Sequence, residues 1–144
     1  MALTKRDWTL LAISAADGEP LSPVQLQKAL FLLGKMKPYS VSRSFYDFTP
    51  YNYGPFDAAI YHDAETLAGD GLVAIQPSRQ GKWVQYAGTA KGMLIAKTLE
   101  AADPGAADYL RRAVAWVRSL SFQDLVKAIY AHYPEYKANS VFQG

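Results

Sequence analysis

Apolar residues recur at helical spacing over the first third of the chain and predict two helices there. In the first, the repeating positions are Trp8, Leu11, Ala12 and Ala15. Thr4 is placed to cap this helix, which we expect to end near Asp17-Gly18. Ser22-Pro23 starts a second helix that is apolar on two sides and ends near Gly34. We therefore expect the second helix to lie centrally in the core.

A third helix and a β-hairpin are predicted in the middle of the chain. The aromatic segment 45–48 has the composition of extended backbone. Gly54 as N-cap, with Pro55 at the first helical position, predicts a helix that stops at Gly69-Asp70-Gly71. Two β-type runs, 72–76 and 83–87, flank a turn-rich segment and predict the hairpin.

The remaining pattern is helical. Thr89 caps a fourth helix, in which Gly92 is a mild liability. Two more helices follow Asp103-Pro104, the last capped by Ser121. This order predicts a mainly α fold with a small β-hairpin, a winged helix-turn-helix with additional C-terminal helices. We expect one domain, with its core over about 4–103 and a helical extension over about 105–140.

Composition excludes several kinds of site. The chain has no cysteine and two histidines, which excludes thiolate ligands and a cysteine nucleophile. His62 and Asp63 are adjacent, so on a helix they point about 100° apart. We expect Asp63 to bond a backbone amide or a tyrosine rather than a metal. Because no phosphate-binding loop or serine elbow is present either, we predict no enzymatic activity, no metal and no cofactor.

Charge and hydropathy narrow the setting. The net charge of +2 permits nucleic-acid binding without arguing for it. The first residues do not resemble a signal peptide, and no apolar run approaches the roughly 18 residues of a membrane span. We therefore expect a cytoplasmic protein that does not bind membranes.

Several blocks of the sequence resemble the Panacea-type proteins, a group that includes SocA-like antitoxins and YwgA-like proteins. The blocks are 26–33, 53–56 with its continuation to Val73, Tyr86 with Thr89, Lys91 and Gly92, and residues between Val126 and Ser140. The resemblance implies a prokaryotic or phage origin and a role in regulation, toxin neutralisation or phage defence. It assigns no catalytic residue.

One hypothesis is that the winged helix binds double-stranded DNA as a homodimeric transcriptional regulator. The outward face of the third helix carries Asp57 and Glu65 but no Lys or Arg, which disfavours insertion into a major groove. The hairpin tip is basic and suits contact with phosphates or a minor groove. The predicted DNA-binding residues are Tyr61, His62, Arg79 and Lys82.

A second hypothesis is a protein-interaction module, such as an antitoxin or adaptor that binds a toxin or defence protein without DNA contact. It follows from the aromatic density between Phe45 and Tyr61, because tyrosine suits protein interfaces. We expect most of these rings to pack internally and the C-terminal helices to dimerise. The predicted partner-binding residues are Tyr46, Tyr51, Tyr53, Trp116, Tyr130 and Tyr133. An enzyme with a site assembled from distant positions is kept as a third alternative.

Overall fold

A computed structural model describes residues 2–142 and shows a mainly helical chain with two small antiparallel hairpins. The elements in chain order are α1 (Lys5–Ser14), α2 (Pro23–Met36), α3 (Pro38–Val41), β1 (Thr49–Tyr51), β2 (Gly54–Phe56), α4 (Ala59–Gly69), β3 (Val73–Pro77), β4 (Val84–Gly88), α5 (Ala90–Glu100), α6 (Pro104–Ser119) and α7 (Phe122–His132). A 3₁₀ turn at Pro134–Lys137 follows. None of the helices in the described range combines the length and the apolar character that a membrane crossing requires.

Four predicted helix starts are confirmed by side-chain caps. The hydroxyls of Thr4, Ser22, Thr89 and Ser121 each accept a hydrogen bond from the backbone N–H three residues later. At Ser22 the side chain of Gln25 accepts in return from the capping residue's own N–H, which completes a capping box. These boundaries are set by short-range chemistry and can therefore be predicted from the sequence.

The centre of the core is α1 rather than α2 alone. Every residue of α1 from Trp8 to Ser14 is buried, and the helix contacts α2, α4, α5, α6 and β4. Thr9 is fully buried, and its hydroxyl is satisfied by a hydrogen bond with that of Tyr46, 2.7 Å away. α2 packs against α1 and α6, as its two apolar sides predict. The hydrophobic pattern did not indicate that this part of α1 is buried on all sides, because α1 contains polar residues such as Thr9 and Ser14.

The predicted start of the third helix at Gly54-Pro55 is wrong. These residues form β2, which pairs with β1 in the register Thr49↔Phe56 and Tyr51↔Gly54. The helix α4 begins at Ala59, whose N–H donates to the carboxylate of Asp57 at 2.9 Å. The segment 45–48, predicted to be extended, contains no strand, and strand pairing starts only at Thr49.

The second hairpin is the predicted one, with β3 and β4 paired from Val73↔Gly88 to Pro77↔Val84. Leu21, in the connection between α1 and α2, forms an isolated bridge to Tyr86 of β4. The prediction that Gly92 is a mild liability is wrong. A Cβ at this position would collide with the backbone carbonyl of Leu72, so glycine is what allows α5 to approach the hairpin.

Candidate functional site

The outer face of α4 is polar and acidic in the structure. Its exposed residues are His62, Glu65, Thr66 and Gly69, and Asp70 follows at the C-cap. Tyr61, predicted to contact DNA, is instead half-buried. Its ring stacks parallel to that of Tyr86 with centroids 6.1 Å apart, and this burial raises the pKa of Tyr61. Tyr61 is thus a packing residue, and of the two predicted contacts on α4 only His62 is free.

The tip of the β3–β4 hairpin carries the predicted basic pair. Arg79 and Lys82 are exposed, and within residues 2–142 neither side chain makes an ion pair. The backbone N–H of Ser78 donates to the carbonyl of Trp83 at 2.8 Å and closes the turn. Trp83 follows Lys82 directly in this turn, and 44% of its surface is exposed.

Asp63 lies on the inner side of α4, where it bonds a tyrosine as predicted. The hydroxyl of Tyr46 donates to Asp63 Oδ2 at 2.5 Å, and Arg6 Nε lies 3.6 Å from Oδ1. Burial, and then the hydrogen bond to Asp63, raise the pKa of Tyr46. Because Tyr46 is buried, its prediction as a partner-binding residue is corrected. The described residues contain no cluster of three potential metal ligands.

Two more of the predicted partner-binding residues are internal. Tyr130 is buried and its hydroxyl donates to Ser140 Oγ at 2.6 Å. Tyr133 is half-buried, with its ring edge-on to that of Phe31 at 4.9 Å between centroids. Both were expected at a surface, and the structure places them in packing against the C-terminal segment and α2. Exposed side chains among the six are those of Tyr51, Tyr53 and Trp116.

An open apolar groove of about 550 Å³ lies where four elements meet, and we term it the aromatic groove. Its walls are Ser22, Pro23, Val24, Tyr53, Trp83 and Phe122. They come from the start of α2, the β1–β2 turn, the β3–β4 hairpin and the start of α7. Tyr53 and Phe122 meet edge-on with centroids 5.0 Å apart. Exposed fractions of 39% for Tyr53 and 45% for Phe122 leave both rings open to a partner.

A smaller cavity of about 120 Å³, the Lys28 pocket, adjoins the aromatic groove and shares Val24 and Tyr53 with it. Lys28 on α2 is only 3% exposed, and its ammonium donates to the carbonyl of Pro55 at 3.1 Å. Burial lowers the pKa of Lys28 from 10.5 to about 7. Gly54, at φ +110°, lets the β1–β2 hairpin lie directly on this lysine.

The walls of the Lys28 pocket are held on both sides. The side-chain amide of Gln27 pairs with the backbone N–H and carbonyl of Asp57, at 3.0 Å in both directions. On the other side, the carbonyl of Asn52 accepts from the N–H of Val141 at 3.0 Å and from Ser140 Oγ at 3.2 Å. The β1–β2 hairpin is therefore clamped between α2 and the C-terminal segment, and the pocket is preformed.

The sequence does not single out Lys28, Trp83 or Phe122 as site residues. Lys28 carries a usable signal, since it interrupts the apolar pattern of a helix predicted to be buried on two sides. Trp83 and Phe122 have none, because their convergence depends on long-range packing. No protein-family model matches the chain, and no curated protein matches it.

Proposed function

We propose that the chain is a winged-helix domain that acts as a non-enzymatic protein-binding module, with the aromatic groove as its binding surface. The observation that carries the proposal is the convergence of Tyr53, Trp83 and Phe122 on one open groove, each more than a third exposed. Large aromatic side chains anchored around a groove are typical of the few residues that supply most binding energy in protein interfaces.

The order of elements supports the winged helix. The chain has α1, the bridge at Leu21, α2, α4, β3 and β4 in the order of that fold. Leu21 pairs with Tyr86 in the middle of β4. A helix-turn-helix has a turn of about three or four residues. In this chain the much longer segment Lys37–Ala58 separates α2 from α4, and it carries Tyr53 to the groove. The segment that interrupts the DNA-binding motif thus helps to build the partner site.

The charges near the groove define the partner. Lys82 and Arg79 lie on the same turn as Trp83, and Lys28 lies in the adjoining pocket. We infer a polypeptide segment in which an aromatic or branched aliphatic residue stands beside acidic residues. The resemblance to Panacea-type proteins, among them antitoxins, is in keeping with a toxin or defence protein as the source of that segment.

Peptide display tests the proposal and does not require an identified partner. A library of random peptides is selected against the wild-type chain, Trp83→Ala and Leu94→Ala. Leu94 is a matched control because it is an exposed apolar residue of α5 outside the groove. We expect the selected peptides to have an apolar anchor next to Asp or Glu. These peptides should not bind Trp83→Ala and should still bind Leu94→Ala. Enriched peptides that bind Trp83→Ala as well as the wild type would contradict the proposal.

Binding of double-stranded DNA through the hairpin tip is a second candidate function. The observation in its favour is that Arg79 and Lys82 are exposed and unpaired within the described residues. Glu65 and Asp70 on the α4 side oppose it, because they would face phosphates with like charge. The two functions differ in the salt-dependent binding to duplex DNA that each predicts.

A further inference from the structure

Lys28 is a buried cation without a counter-charge. Burial lowers its pKa, and none of the ion pairs formed by the described residues includes Lys28. An ammonium group has three N–H donors, and the carbonyl of Pro55 is the single acceptor that Lys28 contacts there. Removing a cation from water without a partner is unfavourable, and a buried lysine of this kind beside a cleft is a candidate for a functional site.

The position of Lys28 connects it with the groove. Its pocket is walled by the rings of Tyr51, Tyr53 and Phe56 and opens beside the aromatic groove, with which it shares Tyr53 and Val24. A volume of about 120 Å³ corresponds to roughly four water molecules, at ~30 Å³ each, and accommodates a carboxylate with one or two carbons. An apolar body in the groove therefore places an attached acidic group within reach of the lysine.

We propose that the Lys28 pocket is a carboxylate subsite, which binds a carboxylate of the partner polypeptide next to the apolar residue held in the aromatic groove. This inference rests on the proposed protein-binding function and names the chemistry that the partner must present. The bound carboxylate accepts from the free N–H donors of Lys28 and supplies the missing negative charge. Two surface cations, Arg79 and Lys82, attract acidic segments, whereas the buried lysine selects the residue that enters.

A pair of matched small probes tests the subsite. N-acetyltryptophan carries a carboxylate next to an indole, and N-acetyltryptophanamide is its neutral counterpart of nearly the same shape. Each is titrated into the isotopically labelled chain, and affinity is taken from amide chemical-shift changes. We expect the acid to bind the wild type at least fivefold more tightly than the amide, with shifts at the β1–β2 turn and α2. Equal affinities of the acid and the amide for the wild type would overturn the proposal.

Variants assign the preference to Lys28. Lys28→Met should bind the two probes with equal affinity, whereas Lys127→Met, which removes an exposed lysine of α7, should keep the fivefold preference. A preference retained in Lys28→Met would overturn the assignment to this residue. The wild-type comparison needs no variant, so the proposal is tested even if Lys28→Met fails to fold.

The two proposals fail separately. An acid preference without displayed peptides that depend on Trp83 keeps the carboxylate subsite and removes the protein-binding function. If displayed peptides depend on Trp83 but the acid and the amide bind the wild type equally well, the protein-binding function stands and the carboxylate subsite is removed.

Discussion

The outer face of α4 and the aromatic groove lie on the same small domain, yet they treat charge and apolar surface in opposite ways. On α4 the carboxylates of Glu65 and Asp70 are exposed to water, and the one aromatic ring of the face, Tyr61, is withdrawn against Tyr86. In the groove the aromatic rings are exposed, and the charge of Lys28 is buried behind them. Exposed charge costs little to maintain, whereas exposed aromatic surface beside a buried charge is unfavourable in the free protein.

The two surfaces therefore differ in what they cost the stability of the free protein. The face of α4 could be formed by any solvated helix, and its acidic groups need no partner. The groove is different, because its rings are exposed and Lys28 is buried without a counter-charge, which is the arrangement that the proposed protein-binding function explains. The exposed aromatic rings and the buried cation thus lie outside α4, the helix that the DNA-binding hypothesis would place in a groove.

The largest expected effect comes from disturbing the contact between α5 and the β3–β4 hairpin, which carries Trp83. Gly92→Ala places a methyl group against the carbonyl of Leu72, a backbone atom that cannot move alone, so we expect a loss of about 3 kcal/mol or more in unfolding free energy. Gly69→Ala is the control, since an added Cβ there meets nothing within 4 Å. Its free energy should change by less than about 1 kcal/mol in urea unfolding. Equal effects would show that α5 tolerates displacement from the hairpin.

The next effect concerns the buried charge of the groove side. Lys28 loses its proton near pH 7 when folded and near pH 10.5 when unfolded, so between these values the unfolded chain binds more protons and stability rises with pH. From pH 7 to pH 9 the wild type should gain about 2 kcal/mol relative to Lys28→Met, measured by urea unfolding. Below about pH 6 Lys28 is protonated in both the folded and the unfolded chain, so the difference in stability no longer changes with pH.

A control and an upper limit belong to this pH experiment. Lys127→Met, which removes an exposed lysine, should follow the wild type across the range. Measurements stop at pH 9 because burial raises the pKa of Tyr86 to about 12, so that its titration lowers stability above pH 10. If Lys28→Met shows the same rise as the wild type, the lysine is not the group that titrates.

A smaller effect sharpens the α4 side. Tyr46→Phe removes the hydroxyl that donates to Asp63 and is hydrogen-bonded to Thr9, so we expect a loss of about 1–2 kcal/mol in unfolding free energy. Tyr39→Phe, at a fully exposed position, should change it by less than about 0.5 kcal/mol. Displayed peptides should bind Tyr46→Phe within twofold of the wild type. A large loss of peptide binding would place Tyr46 in the partner site.

The smallest expected effect concerns DNA. Fluorescence anisotropy with a random duplex at low salt should give no dissociation constant tighter than about 10⁻⁴ M, and Arg79→Ala with Lys82→Ala should change nothing. If the hairpin tip does bind phosphates, the wild type will bind more tightly. A plot of the logarithm of its binding constant against the logarithm of the salt concentration will then be steeper than that of the double variant. The difference in slope will correspond to about two phosphate contacts. That result would favour the second candidate function.

Local chemistry explains what could be predicted from the sequence. Hydroxyl caps at Thr4 and Ser22 and the turn between β3 and β4 depend on residues a few positions apart, and each was predictable. The role of Asp63 was also predictable, because an acidic residue on the inward side of a helix needs a donor, which Tyr46 provides. These features do not depend on how the elements are arranged.

Tertiary packing explains what could not be predicted. Gly54-Pro55 has the composition of a helix start, but these residues pair with β1, and α4 begins only at Ala59, whose N–H donates to Asp57. Tyr61 was assigned outward from helical periodicity, which cannot anticipate that Tyr86 covers it. The aromatic groove joins residues as far apart as Pro23 and Phe122, and no sequence spacing indicates such a site.

The most direct test of the central claim is the affinity of one selected peptide for two single variants, measured by calorimetry. Phe122→Ala removes a ring of the aromatic groove at the first position of α7, and His62→Ala removes an exposed side chain on the outer face of α4. We predict that Phe122→Ala weakens binding at least tenfold, or about 1.4 kcal/mol, and that His62→Ala stays within twofold of the wild type. Weakening by His62→Ala with unchanged binding to Phe122→Ala would contradict the assignment of the partner site to the groove.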